Sequence, residues 1–336
     1  MNQTKFAVTA LDETINDNLS VPYGLIRTVR HYLEFVGVLS YIRGLKTKGV
    51  RLDLIVVALC TYTMHTSNSM NACAEWLKNP AVRRQLGFSP KDEISQKTLN
   101  RAIVILGENR EGIIAHLWKG IKERFEIDDY DINLDGSAVV LYGPKSEYGE
   151  VGYGRDKNRG KLQVEFMVAQ LASLGIPIYI KPYTGSTSDE AQYRDCVPEL
   201  AGMLSGEGLH SLDSYAVRDV IEDVFMEDKE EGGGRTPRSG DRDAIEGRTL
   251  IGMVSMMMMK VEMLRRIAEV ADDKKIEPSD KPRNIGRRTP EGLLASLSNI
   301  EKVQGNGWEH LTEITRDNRL VFNMFDVGPT KGLIEF

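Results

Sequence analysis

The sequence predicts an α/β protein in which an all-helical N-terminal domain precedes a mixed β-sheet with flanking helices. Apolar residues recur at helical spacing from Tyr23 to about Phe125, and after Glu126 their period changes from about 3.6 residues to about 2. In addition, a chain of 336 residues with 41% apolar residues can bury a large core and is expected to divide into two domains.

The N-terminal part is predicted to be helical. Residues 1–20 are polar and are expected to form a loose segment, and residues 21–126 are predicted to form a helical domain. One of its helices follows Ser95, a suitable N-cap, and exposes Lys97, Asn100 and Arg101. These side chains would suit a recognition helix in a DNA groove, although many helical domains carry such a polar face without binding DNA.

Residues 127–336 are predicted to form the sheet-containing domain. Strand patterns occur in DINLDGSAVVLYG, KLQVEFMVAQLA and IPIYIKPYTG, and the short link between the second and third predicts antiparallel neighbours. The segment SDEAQYRDCVPELAGML predicts a following helix. The apolar run LIGMVSMMMMKVEMLRRI is interrupted by Lys260 and Glu262, which favours a buried helix over a membrane span.

The chain shows no pattern of a secreted or membrane protein. No signal-like N-terminus and no run of about 18 apolar residues is present, so a cytoplasmic location without a membrane partner is expected. The cysteines are unpaired in spacing and have no accompanying histidine cluster, which predicts reduced thiols and no zinc site.

The most informative pattern lies in the helical segment SYAVRDVIEDVFMEDK. At about 100° per residue, Tyr215, Arg218, Glu222 and Lys229 fall within roughly 60° of arc, opposite an apolar face. One acid flanked by cations suits a metal ligand beside groups that bind phosphates. The alternative is an ordinary amphipathic helix with a solvated charged face.

This stripe resembles the Y-x2-R-x3-E-x6-K signature of bacterial and archaeal insertion-sequence transposases of the DDE type. The segments INLDGSAVVLYG, GYGRDKNRGKLQV and GIPIYIKPYTGSTSD are similar to the first three catalytic strands of that group, with Ser186 where the group usually has Asn. The resemblance runs from about Asp131 to Asp189 and from Tyr215 to about Met263. It implies an RNase H-like catalytic domain.

The resemblance also implies a catalytic site. In such enzymes two aspartates and a glutamate, from the first strand, the fourth strand and a late helix, hold two Mg²⁺ (or Mn²⁺) ions. Asp135 and Glu222 match the first and third acids. Arg218 and Lys229 would contact phosphates, and Tyr215 would stack on or hydrogen-bond to a displaced nucleotide. On pattern alone, Asp135 could instead be a turn residue of an Asp-Gly pair.

The second aspartate is the point at which this sequence departs from the group. Tyr215 follows Asp189 by only 26 positions, so the catalytic domain is shortened there, as by an internal deletion. Asp213, in GLHSLDS, is the sole candidate, but GLHSL is a poor strand pattern. Asp213 is therefore either the second catalytic acid and metal ligand or the N-cap of the helix that carries Glu222.

Double-stranded DNA, as element ends and target, is the partner that the resemblance implies. The net charge of −6 argues against a nucleic-acid partner, but cations cluster locally in two segments. Arg155, Lys157, Arg159 and Lys161 form one, which we expect to contact DNA, and KPRNIGRR at 281–288 forms the other. Either cluster alone is equally consistent with a solvated loop.

Two functions remain open on the sequence. The first is a transposase that cuts element ends and transfers the strands in a metal-dependent reaction, in an impaired form if the second acid is lost. The second is a catalytically inactive remnant that still binds DNA. A homodimer that holds two DNA ends is expected from the resemblance.

Overall fold

The computed structural model describes residues 20–66, 69–125, 131–141, 146–152, 160–171, 176–204, 211–213, 241–257, 262–305, 308–311 and 315–325. Its α-helices are α1 Tyr23–Phe35, α2 Val38–Gly44, α3 Leu52–His65, α4 Met70–Trp76, α5 Pro80–Leu86, α6 Gln96–Glu108, α7 Arg110–Phe125, α8 Asp189–Met203, α9 Arg242–Met257, α10 Leu264–Asp272, α11 Pro290–Ser298 and α12 Arg316–Asn323. Its strands are β1 Ser20–Val21, β2 Asp131–Val140, β3 Glu150–Val151, β4 Leu162–Leu171, β5 Ile176–Thr184, β6 Ser211–Asp213, β7 Lys302–Gly305 and β8 Trp308–Leu311.

The chain is therefore α/β, as predicted. The predicted helices before residue 126 are present, and the three predicted strands are β2, β4 and β5. The predicted helix after the third strand is α8, which begins after Ser188, whose hydroxyl accepts a hydrogen bond from Ala191 N. Within the long apolar run, α9 extends to Met257 and α10 begins at Leu264.

The chain forms two compact units, and neither is continuous in sequence. The first takes its described residues from Met1–Tyr32, Lys48–Gln96 and Met263–Phe336, and the second from Leu33–Thr47 and Lys97–Glu262. This division differs from the predicted boundary between residues 126 and 127. The reason is that α6 and α7 pack in one unit with the sheet and α9, whereas the C-terminal elements pack with the early helices.

The first unit combines helices with a small sheet of order β1-β7-β8. Its central helix α3 is buried along almost its whole length, and α11 packs against it. Gly24 approaches the end of α11 so closely that an added Cβ would lie 2.6 Å from Leu297 O, so a larger residue would push these segments apart.

The second unit is built on a sheet in which β4 is central. β4 pairs antiparallel with β2 along one edge and with β5 along the other, and β3 continues beyond the end of β5. β6 adds to the far edge of β2 as a parallel strand. The two faces of β4 are almost wholly buried, because α8 and α9 pack on this sheet.

Glycines bring the helices of this unit into close contact. A Cβ at Gly107 would lie 1.9 Å from Asp243 O, and one at Gly247 would lie 2.0 Å from Ile103 O. α6 and α9 therefore approach each other backbone to backbone. Since any side chain at these positions would collide with main-chain atoms, the absence of a Cβ is a condition for this packing.

A buried arginine links four elements of the second unit. Arg110, at the start of α7, is only 3% exposed and donates to Ile180 O at 3.0 Å and to Glu199 at 2.7 Å. Its Nε lies 3.5 Å from a carboxylate oxygen of Glu246 on α9. Lys181 also donates to Glu199, at 2.7 Å. We call these residues the Arg110 network.

The Arg110 network sets the protonation of Glu199. Burial alone would raise the pKa of this carboxyl, but hydrogen bonds from Lys181 and Tyr179 and the charge of Arg110 outweigh it, so the pKa is lowered. A carboxyl with a lowered pKa in the folded state stabilises the fold above its unfolded pKa of about 4.3. That contribution is lost as the pH falls through the folded pKa.

In the part of the chain that the structure describes, no helix combines the length and the apolar character that crossing a membrane requires.

We expect Arg110→Met to lower the free energy of unfolding by about 3 kcal/mol, as breaking a buried ion pair does. The substitution retains much of the side-chain volume but removes the donor of Ile180 O and takes the buried positive charge away from Glu199 and Glu246, which keep their other donors. Urea denaturation measures the change. Arg194→Met is the control, because Arg194 and its partner Glu190 are 78% and 80% exposed, and it should cost less than about 0.5 kcal/mol. A loss below about 1 kcal/mol for Arg110→Met would contradict the role assigned to the network.

Candidate functional site

The candidate site lies where β6 joins the edge of β2. The two strands are parallel, and Asn133 is the Cα partner of Asp213. Asp135 follows two residues later on β2, and positions two apart on a strand belong to the same face of the sheet. Positions 133, 135 and 213 therefore belong to one face. The residues before Asp213 have a poor strand pattern, yet β6 forms at Ser211–Asp213. This strand forms because it pairs with β2, which is distant in sequence.

Asp135 is a strand residue and not a turn residue. β2 continues to Val140 and pairs with β4 on both sides of Asp135, whose register partner is Val168. The side chain is half-buried and accepts a hydrogen bond from Gly136 N at 2.8 Å. The preference for a strand over an Asp-Gly turn at this position is thus confirmed.

Tyr193 of α8 reaches the same edge of the sheet. Its hydroxyl donates to Leu134 O at 2.8 Å, immediately before Asp135. The pKa of Tyr193 is raised, first by burial and then by the negative charges of Asp135 and Asp189. The phenol therefore stays protonated beside the Asp135 carboxylate and acts as a donor there. Sequence analysis missed this residue, because only the packing of α8 on the sheet brings it to β2.

A row of polar positions crosses the sheet beside Asp135. Gln170 on β4 is the register partner of Asn133, which in turn is the partner of Asp213. Gln170 and Asn133 are 2% and 9% exposed, and Gln170 Oε1 has no hydrogen-bond partner within the described residues. Next to this row, Val168 and Phe166 are fully buried on the same face. The row is therefore an oxygen-rich strip bordered by apolar side chains.

These donors are compatible with a hard divalent cation. Mg²⁺ and Mn²⁺ prefer carboxylate and amide oxygens, and Asp135, Asn133 and Gln170 offer such atoms. Among the described residues, no group of three His, Cys, Asp or Glu side chains has a geometry that could hold a metal ion. The predicted third ligand, Glu222, lies outside the described residues, as does the segment that follows Asp213. The choice between metal ligand and N-cap for Asp213 therefore stays a prediction.

Several predicted DNA-binding residues also fall outside the described part of the chain. They are Tyr215, Arg218, Lys229, Arg155 and Lys157. Their roles, and the helical stripe on which the first three were predicted to lie, remain predictions.

Lys97 and Arg101 are described, and both are exposed on α6. The helix begins at Gln96, directly after Ser95, as the predicted N-cap requires. The opposite side of α6 is buried through residues that include Leu99 and Ile103. Neither Lys97 nor Arg101 forms an ion pair within the described residues, so α6 presents two uncompensated cations on one face.

A half-buried carboxyl, that of Glu165, lies on the opposite face of the sheet. Glu165 on β4 pairs in register with Ala138 and accepts a hydrogen bond from Gln163 Nε2 at 3.0 Å. Its pKa is raised to about 7, first by burial and then by the charge of Asp189. No sequence pattern indicated this residue, because its environment is created by the register of β4 and the position of α8.

No protein-family model, curated protein or solved structure that we compared with the chain matches it.

We expect Glu165→Gln to be more stable than the wild type above pH 7, with an advantage that shrinks towards about pH 5. Because the folded pKa of about 7 lies above the unfolded value of about 4.3, the folded wild type binds the extra proton and loses stability as the pH rises through this interval. Glutamine keeps an oxygen to accept from Gln163. Urea denaturation at about pH 5 and about pH 8 tests this, and a difference that does not vary with pH would contradict it.

Proposed function

We propose that this chain is a DNA transposase of the DDE type with an RNase H-like catalytic domain. The single observation that carries the proposal is the parallel pairing of β6 with β2, which puts the position of Asp213 beside Asn133 and two residues from Asp135. In the family that the sequence resembles, the first two catalytic acids come from the first and fourth strands. The described strands of this sheet include the order β5-β4-β2-β6, so β2, the first of these strands in the chain, and β6, the last, are neighbours.

The chemistry of phosphodiester cleavage explains why two carboxylates on adjacent strands matter. Divalent metal ions, if held there, would activate the nucleophile and stabilise the leaving oxygen. In this proposal Asp135, Asp213 and Glu222 hold Mg²⁺ or Mn²⁺. Asn133 and Gln170 are buried beside Asp135 in the register of β2 and β4, and the buried Val168 and Phe166 keep water from that part of the sheet. Tyr193 donates next to Asp135 and limits the movement of that strand edge.

Double-stranded DNA is the proposed substrate, as element ends and as target. The exposed face of α6 supports this, since Lys97 and Arg101 have no acidic partner in the described part of the chain and Asn100 lies beside them. A cation without an acidic partner can neutralise a DNA phosphate and displace a counterion from the DNA, whereas a cation already paired within the protein does so less effectively. Together with Arg218, Lys229, Arg155 and Lys157, they would contact phosphates. We place this activity in the cytoplasm, with a homodimer holding two ends.

The second candidate function is a catalytically inactive remnant that retains DNA binding. It is favoured by the short segment between Asp189 and Tyr215 and by the length of β6, which spans only three residues. A short edge strand holds its residues less firmly than a long one, because fewer ladder hydrogen bonds secure it. The two candidates share the DNA-binding prediction and differ in catalysis alone.

We expect the purified protein to cleave DNA that carries the flanking sequences of its gene when Mg²⁺ or Mn²⁺ is present. Asp135→Asn and Asp213→Asn should each reduce the cleavage rate at least about 100-fold, because each removes a charged metal ligand worth several kcal/mol in the transition state. Asp272→Asn, which changes an exposed helical carboxylate, is the control. Binding of Mn²⁺ can be measured by the rise in melting temperature that it causes. This rise should be smaller in Asp135→Asn and Asp213→Asn than in the wild type, and unchanged in Asp272→Asn.

The outcome separates the candidate functions. Cleavage by the wild type that Asp213→Asn abolishes supports the transposase with Asp213 as the second acid. DNA binding without cleavage supports the inactive remnant. Cleavage that persists in Asp135→Asn would refute the proposed site.

We expect the double variant Lys97→Ala/Arg101→Ala to bind duplex DNA more weakly and with a smaller dependence on salt. If each side chain contacts one phosphate, the slope of the logarithm of affinity against the logarithm of salt concentration should fall by about 1.8. The control is Lys119→Ala/Arg194→Ala, which removes two exposed cations of the same unit that already pair with Glu123 and Glu190. An unchanged slope in the α6 variant would show that this face is merely solvated.

A further inference from the structure

The second cationic cluster of the sequence forms an ordered surface loop in the first unit. Residues 281–288 run from the end of a short 3-10 turn at Pro278–Asp280 through another at Ile285–Arg287. The side chain of Ile285 is buried, and Asn284 has a left-handed backbone with φ of 54°. Hydrogen bonds between backbone groups, such as Arg287 N to Asn284 O at 2.9 Å, close the loop. The loop therefore has a defined shape.

One arginine of the cluster has a structural role. Arg288 donates through Nε to Arg283 O at 3.0 Å, through Nη1 to Ser296 at 3.2 Å, and through Nη2 to Asp317. Asp317 also accepts from Arg283 N at 2.6 Å. Arg288 and Asp317 thus fasten the loop to α11 and α12. The carboxylate of Asp317 is therefore already paired within this loop.

The other arginines of this region differ from Arg288, because most of them are exposed and have no partner among the described residues. Arg283 and Arg287 are exposed, and within the described residues neither side chain forms a hydrogen bond or an ion pair. Arg319, one turn into α12, is exposed and equally unpaired in that part of the chain. Arg316 contacts Ser279 O at 2.8 Å and lies 3.8 Å from Asp280. We call Arg283, Arg287, Arg316 and Arg319 the arginine patch.

The local charge is opposite in sign to that of the whole chain. Segments 280–288 and 315–319 hold six cations and two acids, a surplus of four positive charges, whereas the chain as a whole carries −6. Guanidinium groups that are held on neighbouring segments repel one another, because they carry the same charge. A polyanion relieves that repulsion, and guanidinium groups bind phosphate oxygens in a bidentate manner.

We infer that the arginine patch binds the phosphate backbone of double-stranded DNA, as a contact surface separate from the catalytic sheet. The identity of the polyanion rests on the proposed function, while the patch itself rests on the geometry of the loop. Duplex DNA carries one negative charge per about 1.7 Å of its axis and so can engage several arginines of the patch at once. The contact is not sequence-specific, because phosphates carry no base information.

The test is the salt dependence of binding to a short duplex of arbitrary sequence, measured by fluorescence anisotropy without divalent metal. For Arg283→Gln/Arg287→Gln we expect the slope of log affinity against log salt to fall by about 1.8, which corresponds to a loss of more than about tenfold in affinity near 0.1 M salt. The variant Arg283→Lys/Arg287→Lys should restore most of the slope. An unchanged melting temperature shows that the loop, which Arg288 and Asp317 hold, is intact.

The matched control is Lys274→Ala/Lys275→Ala, which removes two exposed cations of the same unit that stand among Asp272, Asp273 and Glu277. It should leave the slope unchanged. An equal slope for Arg283→Gln/Arg287→Gln and the wild type would overturn the inference. So would a loss of binding to a polyglutamate peptide in this variant as large as its loss of binding to DNA, because the patch would then not be specific for phosphates. Cleavage activity is measured separately. A protein that binds DNA through the patch but does not cleave it would refute the proposal of an active transposase and would still support DNA binding by the arginine patch.

Discussion

The register of β4 between β2 and β5 is the constraint on which the second unit depends. From Val164 to Leu171, each residue of β4 has a register partner on both β2 and β5, for example Val168 between Asp135 and Ile180. A shift of one residue would turn every side chain of a strand to the other face. The same register therefore places Asp135 on the candidate catalytic face and Glu165 on the opposite one. Because both faces of β4 are buried, such a shift would also expose apolar side chains, and this penalty fixes the alignment.

The helices that pack around the sheet bring the buried charged side chains of this unit together. The Arg110 network joins α7, β5, α8 and α9 through one guanidinium that is nearly inaccessible to water. A buried ion network is costly to break but adds little net stability compared with an apolar core. The network constrains how the four elements pack, because its hydrogen bonds and ion pairs require all four to be in place. The close glycine contacts between α6 and α9 impose a similar requirement by shape.

The periodicity of apolar residues was sufficient to predict the large helices and strands, but not the contacts between them that define the candidate site. The alternation in DINLDGSAVV predicted β2, and with it the strand position of Asp135, because alternating apolar residues express a local preference that pairing reinforces. β6 has no such pattern. It is a strand because the edge of β2 offers it hydrogen bonds, and this is a property of two segments that lie almost eighty residues apart. Tyr193, Gln170 and Glu165 were missed for the same reason.

The sequence by itself determined the α/β class, the order of the large strands and helices, the exposed face with Lys97 and Arg101, and the cluster of cations at 281–288. These features depend on the spacing of residue types along the chain. Helices and strands each have a fixed side-chain period, so this spacing predicts them. Tertiary structure decided which residues share a compact unit, which arginines are paired and which are free, and which oxygens lie beside Asp135. Those properties arise from contacts between segments distant in sequence. Their free energies depend on burial and register, which no local pattern encodes.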